Sequence, residues 1–211
     1  MSFPSSPSHP CLEIDLALAL RRATAEIHAE IEQLPLMARL TSKAVILDDY
    51  RRYLRAILSV YAPLEQILYA RLDDTTRDRL GIMPKLPALI ADMEEQGLTF
   101  NSATLAFAPG PALLDDLSTT VGGLYVLEGA TLGGRTIARH LRGIIGAPLG
   151  STRFLDFHGQ NTATAWKRFT GGLNALVAQK VLVPDRVIAG ALTVFAHIHT
   201  QIKLTPERSI L

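Results

Sequence analysis

The chain has 211 residues, 48% of them hydrophobic, and a formal net charge of +1. That size and apolar share suit one domain with its own core. The near-neutral balance excludes a whole-molecule field that would gather nucleic acid or an anionic membrane. Cys11 is the single cysteine, so no internal disulfide forms, as expected of a reducing, cytoplasmic setting.

The opening MSFPSSPSHP is rich in Ser and Pro and predicts a disordered tail over residues 1–10, with the folded domain following over 11–211. It has neither the basic nor the apolar region of a signal peptide. Residues 12–34 carry Leu16, Leu20, Ala23, Ile27 and Ile31 at helical spacing, with Asp15 as a start signal and Pro35 as the stop. A short helix is expected over 35–40. A long one opens at Thr41-Ser42 or Asp48 and runs through Leu68, with Pro63 expected to kink or break it. A short helix over 73–80 and another over 86–96, closed by Gly97, come next.

Residues 98–110 read as irregular, and Pro111 marks a helix start with Leu113, Leu114 and Leu117 following. A glycine-rich helix extends to about residue 145. Residues 146–161 read as a loop, Thr162 or Thr164 starts a helix to about 179, and Pro184-Asp185 starts the last, to about 203. No run of strands and no bilayer-length apolar window without charges or breakers is apparent. The expectation is an all-α, single-domain protein that inserts into no membrane and binds no nucleic acid.

The stretch YVLEGATLGG (125–134) poses a physical question. Each glycine inside a helix costs about 1 kcal/mol relative to alanine. Yet Gly129, Gly133 and Gly134 sit here, and Gly122 and Gly123 precede them. On a helical wheel Tyr125, Gly129, Gly133, Thr136 and His140 share one stripe. A glycine stripe lets something approach the backbone closely: a neighbouring helix, or a flat ligand. Pattern alone favours the neighbouring helix. No strand and no Lys-Ser/Thr pair accompany the glycines, which excludes a phosphate loop.

The first helix carries LRRATAEIHAEIE (20–32). Arg21 lies two turns before His28 and Glu32 one turn after it, on one face. Taken alone, such a histidine is more often structural than a ligand. The stripe also suits a planar, anionic metallo-ligand, with imidazole on the metal, guanidinium on a carboxylate edge and Glu32 behind the ring.

Together the two segments resemble the heme oxygenase family. That family's first helix carries a basic residue, Ala-Thr, a proximal His and an acidic residue four positions on. Here these are Arg21, Ala23-Thr24, His28 and Glu32. Its distal helix carries Gly-x-x-x-Gly-Gly, here Gly129, Gly133 and Gly134. The form YVLEGATLGG is most similar to the bacterial branch, including members associated with bacteriophytochromes, and 154–169 resembles a later loop and helix of that branch.

The resemblance implies a fold that sandwiches heme between the first helix and the glycine helix. Heme would be both substrate and cofactor, cleaved with O2 and electrons from an external donor to biliverdin, CO and iron. His28 would be the axial ligand. The backbone at Gly129, Gly133 and Gly134 would shape the distal face, with Thr131 or Arg135 holding water there. Arg21, Thr24, Tyr125, Lys167 and Arg168 would serve the heme and its propionates, Glu32 would stand behind His28, and Phe154, Phe157 and Phe169 are pocket candidates. A ferredoxin or flavodoxin reductase system is the implied donor, and a bacteriophytochrome a candidate partner. Ala130 stands where mammalian-type members carry Asp, which keeps open a heme carrier without turnover. A di-iron oxidase would need paired Glu-x-x-His motifs, which are not present, and a thiaminase-like hydrolase a nucleophilic cysteine, where the single one here, Cys11, lies next to the tail. His9, His140, His158, His197 and His199 are given no metal role.

Overall fold

The computed structural model describes residues 15–100 and 114–205. Within them nine α-helices and two short 3-10 turns account for the regular structure, with no strand. The helices are α1 (Leu16–Ala23), α2 (Ala25–Gln33), α3 (Pro35–Leu40), α4 (Leu47–Ala70), α5 (Asp74–Leu80), α6 (Leu86–Glu95), α7 (Leu117–Ile145), α8 (Thr162–Ala178) and α9 (Pro184–Leu204). The expected tail, the irregular stretch from 101 to 110 and the start signals at Pro111 and Leu113 lie outside the described residues.

Local chemistry explains most boundaries. Asp15 accepts the Leu18 backbone N–H at 3.2 Å and caps α1. Asp73 caps α5 through Thr76, and Gly81 closes it at a φ of 66°. Asp116 caps α7 by accepting from the Thr119 N–H at 2.8 Å. Prolines stand in the first turns of α3, α6 and α9, where no N–H is missed.

Two boundaries differ from the sequence expectation. The first helix is two, divided at Thr24, whose φ and ψ are −101° and 0°. The Thr24 hydroxyl donates back to the Leu20 carbonyl at 2.9 Å, a bond that bends helices. Conversely, α4 runs unbroken through Pro63, which is buried with Ala62 and Leu64. Tertiary packing outweighs the lost N–H there.

The core centres on α7. Every residue from Ser118 to Glu128 is buried, and α9 packs along this half. A Cβ on Gly122 would strike the Val187 carbonyl, and one on Gly190 would strike Thr119. The two backbones therefore touch through paired glycines. Helix α9 has the length and mean hydropathy, 1.2, of a bilayer span. In this fold Val187, Ala191, Val194 and Phe195 spend that apolar character against the core.

The loop after α7 is hung from α6. Asp92, 1% exposed, accepts the backbone N–H groups of Arg153 and Phe154, each at 2.8 Å, and the Ser151 hydroxyl at 3.1 Å.

Candidate functional site between α2 and α7

Helix α2 buries none of its residues and packs on α9 and α3 rather than along α7. The face of α2 that carries His28 and the α7 stripe from Tyr125 to Gly133 are the candidate slot. Its near end is the bend at Thr24. Thr24, 3% exposed, and Arg21 lie beside the Tyr125 phenol. Burial raises the Tyr125 pKa above its ordinary value, against the lowering effects of these two neighbours. The Trp166 ring of α8 lies 5.5 Å from the Tyr125 ring.

One turn beyond Thr24, His28 leaves the bend with its side chain 57% exposed. Its Nδ1 lies 3.6 Å from Glu32 Oε1, and its ring meets Phe195 edge-on at 5.9 Å. The Glu32 side supports the Nδ1–H tautomer, which leaves the Nε2 lone pair for a metal.

One and two turns beyond Tyr125, Gly129 and Gly133 face the same slot. A Cβ at Gly133 would meet nothing within 4 Å, and one at Gly129 would meet only the Trp166 ring, at 3.6 Å. These two glycines are not forced by helix packing. Gly134 is: its Cβ would lie 2.5 Å from the Leu155 carbonyl oxygen. The run from Gly122 to Gly134 thus divides into packing glycines (Gly122, Gly123, Gly134) and slot glycines (Gly129, Gly133).

The remaining candidates are sorted by their partners. Arg21, Thr24, Tyr125, His28 and Glu32 gather at the slot. Thr131 is buried, and its hydroxyl donates to the Glu128 carbonyl at 2.7 Å within its own helix. Arg135 lies with Asp156, Nε to Oδ1 at 4.0 Å. Both are turned from the glycine stripe, so neither stands on it as the expected water-holding residue. Arg168 donates to the Asp78 carbonyl at 2.9 Å and closes the C-terminus of α5, away from the slot. Lys167 is exposed. Phe154 and Phe169 are buried core residues, and Phe157 lies under the Lys85 ammonium, 5.1 Å from ring centre.

Sequence reasoning passed over Trp166, Phe195 and a buried ion pair. Lys85, 2% exposed, meets Glu128 with Nζ to Oε1 at 2.5 Å. Glu128 directly precedes Gly129, and His158 Nε2 lies 3.9 Å from its other oxygen. A lone Lys and a lone Glu separated by 43 positions carry no local signal of this pairing.

Among the described residues no three His, Cys, Asp or Glu side chains converge on a point that could hold a bare ion. A metal at His28 must bring its other ligands with it. An exposed imidazole on α2 and a strip of α7 backbone free of side chains, with Arg21 on α1, define an all-helical protein whose candidate site has the parts a flat, anionic metallo-ligand would require.

Comparison with known proteins agrees. The sequence model of the heme oxygenase family matches residues 14–107. A relative from Xanthomonas campestris pv. campestris (strain 8004), named heme oxygenase, is 31% identical over 153 residues, which is 72% of this chain and 88% of the relative. The chain belongs to the heme oxygenase family. In fold it is similar to the NO- and CO-bound heme oxygenase of Neisseria meningitidis, with a TM-score of 0.62, 22% identity, and 93% of this chain and 98% of that one covered. It is also similar to heme oxygenase 2 of Chlamydomonas reinhardtii without heme, with a TM-score of 0.62, 21% identity, and coverage of 92% and 99%. Heme oxygenase-1 of Synechocystis sp. PCC6803 in complex with heme follows with a TM-score of 0.57, 17% identity, and coverage of 90% and 91%.

Proposed function

We propose that this chain binds heme in the slot between α2 and α7 and cleaves it, with O2 and electrons from an external donor, to biliverdin, CO and iron. The observation that carries the reading is the pairing of an exposed His28 with Gly129 and Gly133, which have room at the backbone that no packing demand explains. Family membership and the Xanthomonas relative support it. When bound, heme supplies the iron at which O2 is activated and the ring that is opened.

The chain's own residues do the rest. His28 Nε2 holds the iron, with Glu32 behind Nδ1 fixing the ring's tautomer and raising its donor strength. Gly129 and Gly133 keep the opposite face clear of side chains, so that no distal acid–base group stands over the metal. Arg21 offers a fork to a propionate, Thr24 and Tyr125 close the near edge, and Lys167 is the second cation for that edge. The single cysteine suits a reducing cytoplasm, where a ferredoxin or flavodoxin reductase system would deliver the electrons. The resemblance of YVLEGATLGG to bacteriophytochrome-associated members supports chromophore supply as the use of the product, with iron release as the other use.

A second reading, heme carriage without turnover, is favoured by one feature. Ala130 is exposed, and Thr131 and Arg135 are turned elsewhere, so backbone is left to order water on the distal side. One experiment separates the readings. Hemin is titrated into the protein and into His28→Ala, and ascorbate or a ferredoxin–reductase pair is then added in air. We expect a one-to-one Soret complex that depends on His28 and gives way to a biliverdin band. A stable complex would favour the carrier, and the absence of His28-dependent binding would reject both.

A further inference from the structure

The contact between His140 and Ser42 has no part in the roles above. The segment from Thr24 to Leu47 carries α2 and α3, seats Leu40 and Val45 in the core, and continues as α4. It is tied to α7 side chains at two points. The near tie is the approach of Thr24 to the Tyr125 phenol. The far tie is His140 Nε2 with the Ser42 carbonyl, at 3.0 Å. Fifteen residues of α7 separate these ties, about 22 Å at 1.5 Å per residue. Gly129, Gly133 and Thr136 lie between them on the same stripe as His140. Over that span α2 has no buried residue of its own; it rests on the core through the partly buried Ile27 and Ile31. A carbonyl only accepts, so His140 must present Nε2–H to Ser42.

We propose that His140 is a positioning residue: its bond to Ser42 pins the far end of this strap and so fixes the gap in which the ligand is oriented. The proposal rests on the heme reading for the identity of that ligand. His140 touches the strap and not the reacting atoms. Its effect is expected on how firmly, and in which rotation, the ring is held between His28 and the glycine strip. A ring free to turn in its plane presents more than one meso edge to the same bound oxygen, so the distribution of biliverdin isomers reports the gap.

The test uses two variants of the full chain. His140→Phe keeps the ring's bulk and loses the donor. His140→Gln keeps a donor at similar reach. In the ligand-free protein, His140→Phe is expected to speed amide exchange over residues 25–42 by about fivefold, the weight of one hydrogen bond, with exchange in the core half of α7 unchanged. With hemin loaded, it is expected to speed transfer to apomyoglobin by a similar factor, about fivefold, and to shift the isomer ratio. His140→Gln should resemble the wild type in all three readings. Strap exchange unchanged in His140→Phe would overturn the pin. Faster exchange with unchanged hemin loss and isomer ratio would overturn the positioning role and leave a structural contact. A wild-type chain that binds no hemin would defeat the heme reading instead, and strap exchange, which needs no ligand, tells that failure apart.

Discussion

At the scale of single residues, two neighbouring glycines of α7 have opposite reasons to exist. Gly133 borders open space, while Gly134 abuts the Leu155 carbonyl. Gly133→Ala should therefore raise stability by about 0.5–1 kcal/mol, the helix-propensity difference, while weakening hemin binding. Gly134→Ala should lower stability by roughly 1–3 kcal/mol through overpacking against backbone. Urea melts and Soret titrations of the two variants read these signs directly. As candidates, His28, Glu32, Gly129 and Gly133 are legible from residue type and helical spacing once both segments are read together, and the room at the two glycines is what the structure adds. The contacts of Gly134, Thr131 and Arg135 were not legible, because a wheel tells which residues share a face but not what the face meets. The contact of Arg168 was hidden for the same reason, since its partner Asp78 lies 90 positions away.

Elements were more legible than contacts. Asp15, Gly81, Gly97 and Pro184 end or begin helices close to where their chemistry directs. The break at Thr24 was hidden because Thr is an ordinary helix residue until its hydroxyl turns back on the preceding carbonyl. The continuity of α4 through Pro63 was hidden because burial on both sides outweighs a local penalty. Capping also predicts a pH response. The Thr76 backbone N–H donates to Asp73 at 2.6 Å and holds that carboxyl below the usual aspartate range. A carboxylate with a depressed folded pKa contributes stability above its unfolded value, about 4. That contribution fades as pH falls through the lower folded value. Asp73→Ala should thus be less stable than the wild type at pH 7, and the gap should narrow at pH 3. Equal gaps at both pH values would contradict this account of the cap.

At the scale of the molecule, three helices meet through one buried polar chain. Glu65 of α4 accepts the backbone N–H groups of Lys85 and Leu86 at 2.6 and 2.9 Å, which caps α6. The Lys85 ammonium then pairs with Glu128 of α7. Breaking a buried pair leaves a charge without its partner, at a cost of about 3–5 kcal/mol. Lys85→Met should lose stability on that scale, and Lys85→Met with Glu128→Leu should recover most of it. A double variant no better than the single would mean that packing, not charge, holds the junction. None of this chain could be read from the sequence, because its members are far apart and individually ordinary, whereas the all-helical class follows from periodicity alone. The paired glycines of α7 and α9 add a mechanical consequence. From Ser118 to Glu128 the helix is enclosed on all sides, and beyond it one flank stays braced through Thr131, Gly134, Ala138 and Leu141. The two flanks of one helix thus differ in compliance: the buried flank is supported along its length, and the flank that carries Gly129 and Gly133 is open.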